Sequence, residues 1–162
     1  MLYGPKLVAA MTKMPDRLRF EDEPTDFITV DLEVYSRRRL TKLATALSPY
    51  LGLHHEGPWG RGLYFAAFGG AGHRVKYSRS GTAAQQIEAL VRIVRGLPPE
   101  AKALWEGAQS RNFDIGIQSG LHPRSYQLKL APKTLAAATS VNATIAITVY
   151  APVATYEPAS RK

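Results

Sequence analysis

The sequence predicts an α+β domain, with a mainly antiparallel sheet of about five strands and helices packed on one face. Segments in which every second residue is apolar alternate with segments whose apolar residues recur at helical spacing. The strand-like segments carry polar residues on their second face, which is typical of a sheet that helices cover on one side only. The order β-α-β, then α-α, then β-β-α-β contains two βαβ units, which favours ferredoxin-like βαβ architecture.

The 162-residue chain has the size of one domain, and 45% of its residues are hydrophobic, which is enough to build a core. We expect an N-terminal arm over residues 1–26, a single α+β domain over 27–152 and a C-terminal tail over 153–162. The uncharged segment 134–156 has the length of a membrane span. Because it contains Pro152 and many Thr and Ser residues, and its second half alternates, we interpret it as a helix followed by a strand.

The first strand and the first helix are predicted from residues 27–47. Residues 27–35 alternate between apolar and polar side chains, as a half-buried strand does. Ser36 has a side chain that suits a helix N-cap, and the helix after it carries an apolar stripe over residues 40–47. The side chains of the strand that we expect to face the core are Ile28, Val30, Leu32 and Val34.

A Gly-rich loop is predicted at residues 53–62, before a second strand at 63–70 that is apolar on both faces. Residues 73–80 suit a short strand extension or a hairpin return. Thr82 is expected to cap a helix that ends at Gly96, since glycine commonly follows the last helical turn.

The C-terminal half predicts two more helices and three strands. Residues 98–109 begin with proline in the first turn, which helices tolerate, and Leu104 and Trp105 are packing candidates. The last helix is expected to begin at Pro132. The strands are predicted at 113–120, 125–130 and 142–150, and in the last one Ala143, Ile145, Ile147 and Val149 are expected to face the core.

The composition restricts both chemistry and partners. Twenty-one Lys and Arg residues against thirteen Asp and Glu residues give a net charge of +8 at pH 7. Such a surface attracts nucleic acid, acidic proteins or anionic lipid, although a basic soluble protein without such a partner has the same composition. The absence of cysteine excludes disulfides and thiol nucleophiles. The apolar run LVAAM near the N-terminus is too short for a secretory signal, so we expect a cytoplasmic protein.

No metal or cofactor motif is recognisable in the sequence. The four histidines lack the spacing of a zinc site, and the adjacent His54 and His55 point apart on extended backbone. The Gly-rich stretches 57–62 and 69–74 offer backbone N–H groups to an anion, with Arg61 nearby, but they match neither phosphate-loop fingerprint. We therefore predict no cofactor and no metal ion, and an anion site stays open as the alternative to hairpin loops.

Three carboxylates are candidates for acid–base chemistry. Asp31 and Glu33 are two residues apart on a strand and share a face, which Asp114 on another strand can also share. Neighbouring carboxylates raise one another's pKa. A solvated outer face of a sheet carries the same residue types, and no nucleophile motif appears. We therefore expect that the protein is not an enzyme.

Partner binding is the other use of exposed aromatic and charged residues. The arginines of 37–39 lie at a predicted helix start, where the helix dipole disfavours cations, so they favour either a partner or simple solvation. Trp59 beside Arg61 has the composition of an interface anchor and equally that of a lid over the core. Tyr64 and Phe68 share a strand face, but the basic, Gly- and aromatic-rich run of an RNA-binding sheet is missing. The candidate partner-binding residues are Trp59, Arg61, Tyr64, Phe68, Arg37, Arg38, Arg39 and Asp114.

Residues 111–152, RNFDIGIQSGLHPRSYQLKLAPKTLAAATSVNATIAITVYAP, resemble the C-terminal half of small bacterial domains of the toxin-immunity-protein type. The resemblance lies in an FDIG strand, a segment that ends in L-A-P, a helix, and a terminal I-T-V-Y-A-P strand. It implies a non-enzymatic bacterial protein that binds and neutralises a cognate toxin or another protein with an acidic surface. A basic nucleic-acid-binding protein is the alternative that the net charge favours.

Overall fold

The computed structural model describes residues 18–20, 23–69, 81–152 and 154–156, and these residues form seven strands and four helices. The strands are β1 (Leu18–Phe20), β2 (Asp26–Ser36), β3 (Gly52–Gly60), β4 (Leu63–Gly69), β5 (Ser110–Gln118), β6 (Thr144–Tyr150) and β7 (Ala154–Tyr156). The helices are α1 (Thr41–Leu47), α2 (Ala83–Arg95), α3 (Pro99–Glu106) and α4 (Pro132–Ser140). The predicted α+β class is confirmed.

The main sheet has five strands in the order β3-β4-β2-β5-β6. Strand β2 pairs antiparallel with both β4 and β5, and β3 pairs antiparallel with β4, whereas β6 runs parallel to β5. From β2 to β5 this is the ferredoxin-like split βαβ arrangement, with two helices before β5 in place of one. Helix α4 and strand β6 then extend the sheet by one parallel crossover. Strands β1 and β7 form a separate two-stranded antiparallel sheet.

The core lies between one face of the sheet and the helices. Alternate residues of the strands point into it, and each aliphatic side chain that leaves water there stabilises the fold by about 1.5–3 kcal/mol. From the strands, the core takes Val30, Leu32, Val34, Ala66, Phe68, Phe113 and Ile115. From the helices, it takes Leu43, Leu47, Ile87, Leu90, Val94, Leu104 and Trp105.

Helix α2 begins and ends as its sequence predicts. The Thr82 hydroxyl accepts a hydrogen bond from the Gln85 N–H (3.4 Å), while the Gln85 side chain accepts one from the Thr82 N–H (2.9 Å), which completes a capping box. Gly96 follows the last turn. The predicted packing role of Trp105 is also confirmed, because its indole is buried and donates to the Val141 carbonyl (2.8 Å), which ties α3 to the end of α4.

The first strand departs from its predicted pattern at one end. The pairing register between β2 and β5 shifts between Phe27 and Thr29, as a β-bulge does. Phe27 packs against the core, and Ile28, which was predicted to face inward, is exposed. Ser36 is a buried strand residue and not a helix cap; its hydroxyl accepts a hydrogen bond from the Arg38 N–H (3.0 Å) in the connection to α1.

One predicted loop is a strand in the structure, and one predicted strand is an irregular connection. Most of the predicted loop 53–62 is strand β3, and only the turn after it uses left-handed backbone, at Gly60 (φ 99°), Arg61 (φ 49°) and Gly62 (φ 73°). The predicted strand 125–130 is instead an irregular connection, since β6 occupies the pairing side of β5. The alternation in that segment has another cause: its leucines pack partly against the core.

The prediction for residues 73–80 falls outside the described residues, as do most of the proposed arm and tail. The last strand is confirmed, and Ile147 and Val149 lie on the helix side, opposite Ile115 and Ile117, but their side chains are 58% and 61% exposed and not buried. They belong to the edge strand β6, where the helix layer covers less of the sheet.

Candidate functional site

The second face of the sheet carries no packed helix among the described residues, and we call it the open face. Side chains alternate along a strand, so each strand contributes every second residue to this face. Because β2 is central, its open-face residues are flanked by apolar residues of β4 on one side and by polar residues and Gly116 of β5 on the other. The open face comprises His55 and Trp59 of β3; Phe65, Ala67 and Gly69 of β4; Asp31, Glu33 and Tyr35 of β2; Asn112, Asp114 and Gly116 of β5; and Thr148 and Tyr150 of β6.

One end of the open face is an aromatic cluster of four rings, Tyr35, His55, Trp59 and Phe65. Phe65 is buried at its centre, stacked on Tyr35 with 4.5 Å between ring centroids and on His55 with 5.6 Å. Trp59 leans on Phe65 at 4.7 Å and remains 57% exposed. Such ring pairs contribute about 0.5–1.5 kcal/mol each beyond the area that they bury. The cluster therefore holds an exposed indole in a fixed position.

The middle of the open face is an acidic cluster of Asp31, Glu33 and Asp114. Asp31 lies opposite Asp114 across the pairing of β2 with β5, and Glu33 lies opposite Asn112. The Asn112 amide donates to Glu33 Oε2 (3.4 Å). The Thr148 hydroxyl lies 2.9 Å from both carboxylate oxygens of Asp114 and donates to them. Strand pairing thus brings together three carboxylates that are up to 83 positions apart in the chain.

His54 reaches the same region through a gap left by a glycine. The pairing of β3 with β4 is irregular between Leu53 and His55. A Cβ atom at Gly69 would collide with His54 Nε2 and would lie 3.1 Å from Asp31 Oδ1, an oxygen that is itself shielded from solvent. The His54 imidazole and the Asp31 carboxylate therefore converge above Gly69, which has no side chain to separate them.

An open depression of about 300 Å³ borders the acidic cluster. Gly116 forms its floor: a Cβ atom there would lie 3.5 Å from Tyr150 Cε2 and 3.7 Å from Ile28 Cβ. The β2 bulge places Ile28 at this rim, which explains why an apolar residue is exposed on the open face. The depression is lined by Ile28, Thr29, Asp31, Asp114, Gly116, Gln118 and Tyr150.

Three side chains of the open face, Glu33, Tyr35 and Tyr150, have raised pKa values. Burial raises the pKa of Glu33 above its ordinary value; the Asn112 hydrogen bond opposes the shift, and the charges of Asp114 and Asp31 add to it. The pKa values of Tyr35 and Tyr150 are raised as well, first by burial and then by the neighbouring carboxylates. At these three side chains, burial is thus the main reason that the neutral form is favoured.

The predicted partner-binding residues do not form one site in the structure. Trp59 and Asp114 are both on the open face, and Arg61 is exposed in the turn between β3 and β4, next to Trp59. The prediction that Phe68 binds a partner is wrong, because its side chain is 1% exposed and lies inside the core. Tyr64 is half-buried on the helix side, with the Arg39 guanidinium 5.8 Å from its ring centroid.

The three arginines Arg37, Arg38 and Arg39 are exposed in the connection between β2 and α1. Two of them line a groove of about 560 Å³ between α1 and α3, together with the ion pair of Lys42 and Glu100 (2.6 Å). Lys42 lowers the pKa of Glu100 by hydrogen bonding and by its charge. This groove is larger than the depression on the open face, but it contains neither the acidic cluster nor the exposed indole.

Tyr35, His55 and Phe65 were not predicted from the sequence to belong to one cluster. The signal was present in the predicted loop, because His55, Gly57 and Trp59 recur at every second position, as residues on one strand face do. Glycine and proline in the same stretch masked that period.

Comparisons of the chain with protein-family models, with curated proteins and with solved structures give no match. Over the described residues, no helix is both long enough and apolar enough to cross a membrane. Within the same residues, no group of three His, Asp or Glu side chains is arranged to hold a metal ion.

Proposed function

We propose that the protein is a non-enzymatic protein-binding module whose open face docks a partner, and that it serves as a bacterial immunity protein that neutralises a cognate toxin. The observation that carries the docking proposal is the exposed indole of Trp59, held by Phe65 and Tyr35 at one end of a sheet face free of described helices. The toxin as partner comes from the resemblance of residues 111–152 to immunity-type domains.

The open face has the size and composition of a docking surface. Five strands spaced about 4.8 Å apart and about 25 Å long give roughly 600 Å², against about 800 Å² per partner in a standard interface. Binding energy in such interfaces concentrates in a few anchored aromatic residues, Trp and Tyr above all. Trp59 meets the requirement for an anchor, because its neighbours fix the ring before a partner arrives and ordering it costs little entropy.

The same carboxylates are less well suited to acid–base catalysis than to recognition of a partner. A catalytic acid or base needs a reacting group held within hydrogen-bond reach, in a site from which water is excluded. The depression at Asp31 and Asp114 is open, and the Asp114 carboxylate already accepts from Thr148. Recognition by hydrogen bonds and charge requires no more than this arrangement offers.

Nucleic-acid binding is the second candidate, and the exposed run of Arg37, Arg38 and Arg39 beside the groove of α1 and α3 favours it. Sheets that bind RNA stack bases on aromatic residues of their open face. Here that face carries Asp31, Glu33 and Asp114 next to the aromatic cluster, and carboxylates repel phosphate. A nucleic acid would therefore be bound through the arginine run, with an affinity that falls steeply with salt.

Co-expression with the toxin domain encoded beside its gene tests the proposal. The wild-type chain is expected to restore growth and to co-purify with the toxin as a complex. Replacing Trp59 by Ala is expected to weaken the complex about 30-fold, as the loss of an interface anchor does. Tyr50→Ala, which removes an exposed aromatic ring outside the open face, serves as the matched control and should leave affinity within about twofold.

Failure of the wild-type chain to protect cells or to form a complex would refute the immunity role. Equal losses for the Trp59 and Tyr50 variants would refute the open face as the docking surface. Binding to RNA or DNA that survives the Trp59 change and is lost on replacing Arg37, Arg38 and Arg39 would support the second candidate instead.

A further inference from the structure

We infer that the chain forms a dimer through strand β6, whose outer edge pairs antiparallel with the β6 strand of a second copy. The five-stranded sheet of each copy then continues into one sheet of ten strands. This inference does not depend on the proposed docking function, because Trp59 lies on β3, at the opposite edge of the sheet.

The two edge strands of the main sheet differ in how far they are protected from pairing with another chain. Edge strands carry unpaired N–H and C=O groups, and proteins block pairing there with proline, charged residues or bulges. Strand β3 has these features, since it contains Glu56 and Pro58 and its register with β4 shifts at two places. Strand β6 has none of them, because it reads TIAITVY and its pairing with β5 runs without a register shift.

The described residues leave the outer side of β6 open. No described strand pairs with that side, where an edge strand presents backbone N–H and C=O groups that lack a ladder partner. Ile147 and Val149 are 58% and 61% exposed on the helix side, and Tyr150 is 48% exposed on the open face. A further strand beside β6 pairs these backbone groups and covers these side chains at the same time.

The residue pattern of β6 is complementary to itself. In an antiparallel pair centred on Ile147, that residue lies opposite its own copy, and Ile145 lies opposite Val149. Both pairs are aliphatic and lie on the helix side. The remaining pairs lie on the open face: Thr144 with Tyr150, and Ala146 with Thr148. A twofold axis through Ile147 therefore matches like with like on both faces, as a symmetric dimer interface requires.

Charge distinguishes this dimer from the other interactions considered above. Two copies that each carry a net charge of +8 repel one another, and salt screens that repulsion. Because β6 is uncharged, the paired strands place no like charges directly opposite each other. Raising the salt concentration should therefore strengthen the dimer, whereas it weakens the binding of nucleic acid.

The size of the paired edge indicates a weak and reversible dimer. A strand of seven residues is about 23 Å long, and a sheet layer about 10 Å thick presents roughly 230 Å² per copy at its edge. This is well below the roughly 800 Å² per partner of a standard interface. Affinity in strand addition comes mainly from main-chain hydrogen bonds. We therefore expect a dissociation constant on the order of 100 µM.

Analytical ultracentrifugation of the full chain from about 5 to about 500 µM, at low and high salt, tests the inference. We expect a monomer in dilute solution, a dimer in concentrated solution, and more dimer at high salt. Ile147→Lys places a lysine opposite its own copy and should raise the dissociation constant at least about tenfold. The matched control is Leu53→Lys, on the helix side of edge strand β3 and 48% exposed, which should leave the constant unchanged.

Ile147→Glu tests the register and guards against loss of fold. By itself this variant should be monomeric, as Ile147→Lys is, because two carboxylates then face each other. An equimolar mixture of the two variants should form a dimer, since Lys then faces Glu across the twofold axis. Unfolded variants could not restore each other in this way, and circular dichroism of each variant checks the fold directly.

A monomer at every concentration, a dimer that survives Ile147→Lys, equal weakening by Leu53→Lys, or a mixture that stays monomeric would each overturn the inference. Slow amide exchange of β6 in dilute solution would also overturn it, because the chain itself would then cover the edge. Loss of the toxin complex on Ile147→Lys, without any dimer, would assign the edge to the toxin instead. A Trp59-dependent toxin complex of a monomeric chain would leave the docking proposal standing and remove the dimer.

Discussion

The two faces of the sheet are built from neighbouring residues of the same strands, yet they have opposite physical character. In β5, Phe113 is completely buried under the helices, while the next residue, Asp114, lies on the open face opposite Asp31. The helix side excludes water and packs aliphatic groups. The open side gathers carboxylates and exposes an indole, and these are the features on which the docking proposal depends.

Because of this difference, the helix side governs the stability of the domain, and the open face is the candidate surface for recognition. Burial of apolar area is the dominant favourable contribution to folding, so the helix side determines whether the domain folds. Polar contacts on the open face add little to the free energy of unfolding, because most of its polar groups remain partly solvated. Substitutions on the two faces should therefore have separable effects, and four tests examine this in order of expected size.

The largest effect is expected for Phe113→Ala, which should lower the free energy of unfolding by about 3–5 kcal/mol by leaving a cavity in the core. Asp114→Ala, one residue away, loses the Thr148 hydrogen bond but relieves repulsion with Asp31, so its effect should stay within about 1 kcal/mol. Urea unfolding of both variants gives the comparison. Similar losses in both would mean that the two faces do not differ as described.

Two glycines provide the second test. A Cβ atom at Gly120 would collide with backbone atoms of Glu23 and Pro24, which cannot move independently, so Gly120→Ala should cost about 1–3 kcal/mol. At Gly116 a Cβ makes ordinary contacts, and Ala should stabilise the strand by roughly 0.5 kcal/mol by restricting the unfolded chain. Thermal unfolding distinguishes the two. Destabilisation by Gly116→Ala would show that Tyr150 and Ile28 pack more tightly around Gly116 than described.

The third test concerns the hydroxyl that supports the acidic cluster. Thr148→Val removes the donor to Asp114 and should lower the free energy of unfolding by about 1 kcal/mol. Thr144→Val makes the same change on an exposed residue of the same strand and should be nearly neutral. If chemical denaturation shows no difference between them, the Asp114 carboxylate does not depend on Thr148.

The smallest effect is expected for Glu33→Gln. Because the pKa of Glu33 is raised in the folded protein, its protonated form is favoured by folding, and that contribution is lost as the pH rises through the raised pKa. The variant should therefore gain about 0.5 kcal/mol at pH 7, a modest value because the side chain is partly solvated. The gain should vanish below the ordinary glutamate pKa of 4.5.

Glu100→Gln is the same substitution at a carboxylate whose pKa is shifted in the opposite direction. Lys42 lowers the pKa of Glu100, so its ionised form is favoured, and replacement should not stabilise the protein at pH 7. Unfolding curves for both variants at pH 4 and pH 7 make the measurement. A gain at pH 7 for both glutamates would argue for a general charge effect and against local crowding at Glu33.

Much of the fold was predictable from local sequence. The capping box at Thr82, the glycine at 96 and the alternation in β2 and β5 are short-range signals, and the structure confirms the elements that they predict. The predictions that were wrong involve segments whose meaning depends on distant residues. Pro58 and the glycines around it read as a loop, but Pro58 is tolerated in β3 because β3 is an edge strand.

The candidate site was predictable in part for the same reason. Asp31, Glu33 and Asp114 were recognised as residues that can share a face, and Trp59 as an exposed anchor candidate. Their assembly with Tyr35, His55 and Phe65 was not, since it requires β3 to be a strand and β4 to lie between β3 and β2. The burial of Phe68 follows from the same arrangement, because it sets which face of β4 meets the helices.

The sequence by itself determined which residues alternate in β2 and β5, and where the capped helix α2 begins and ends. Only the tertiary structure decided that β2 and β5 are neighbours, so that Asp31 meets Asp114, and that the β2 bulge exposes Ile28 beside them. The physical reason is the distance along the chain over which each interaction acts. Alternation and capping act over a few residues, whereas strand order is selected by burying the whole helix-side core at once.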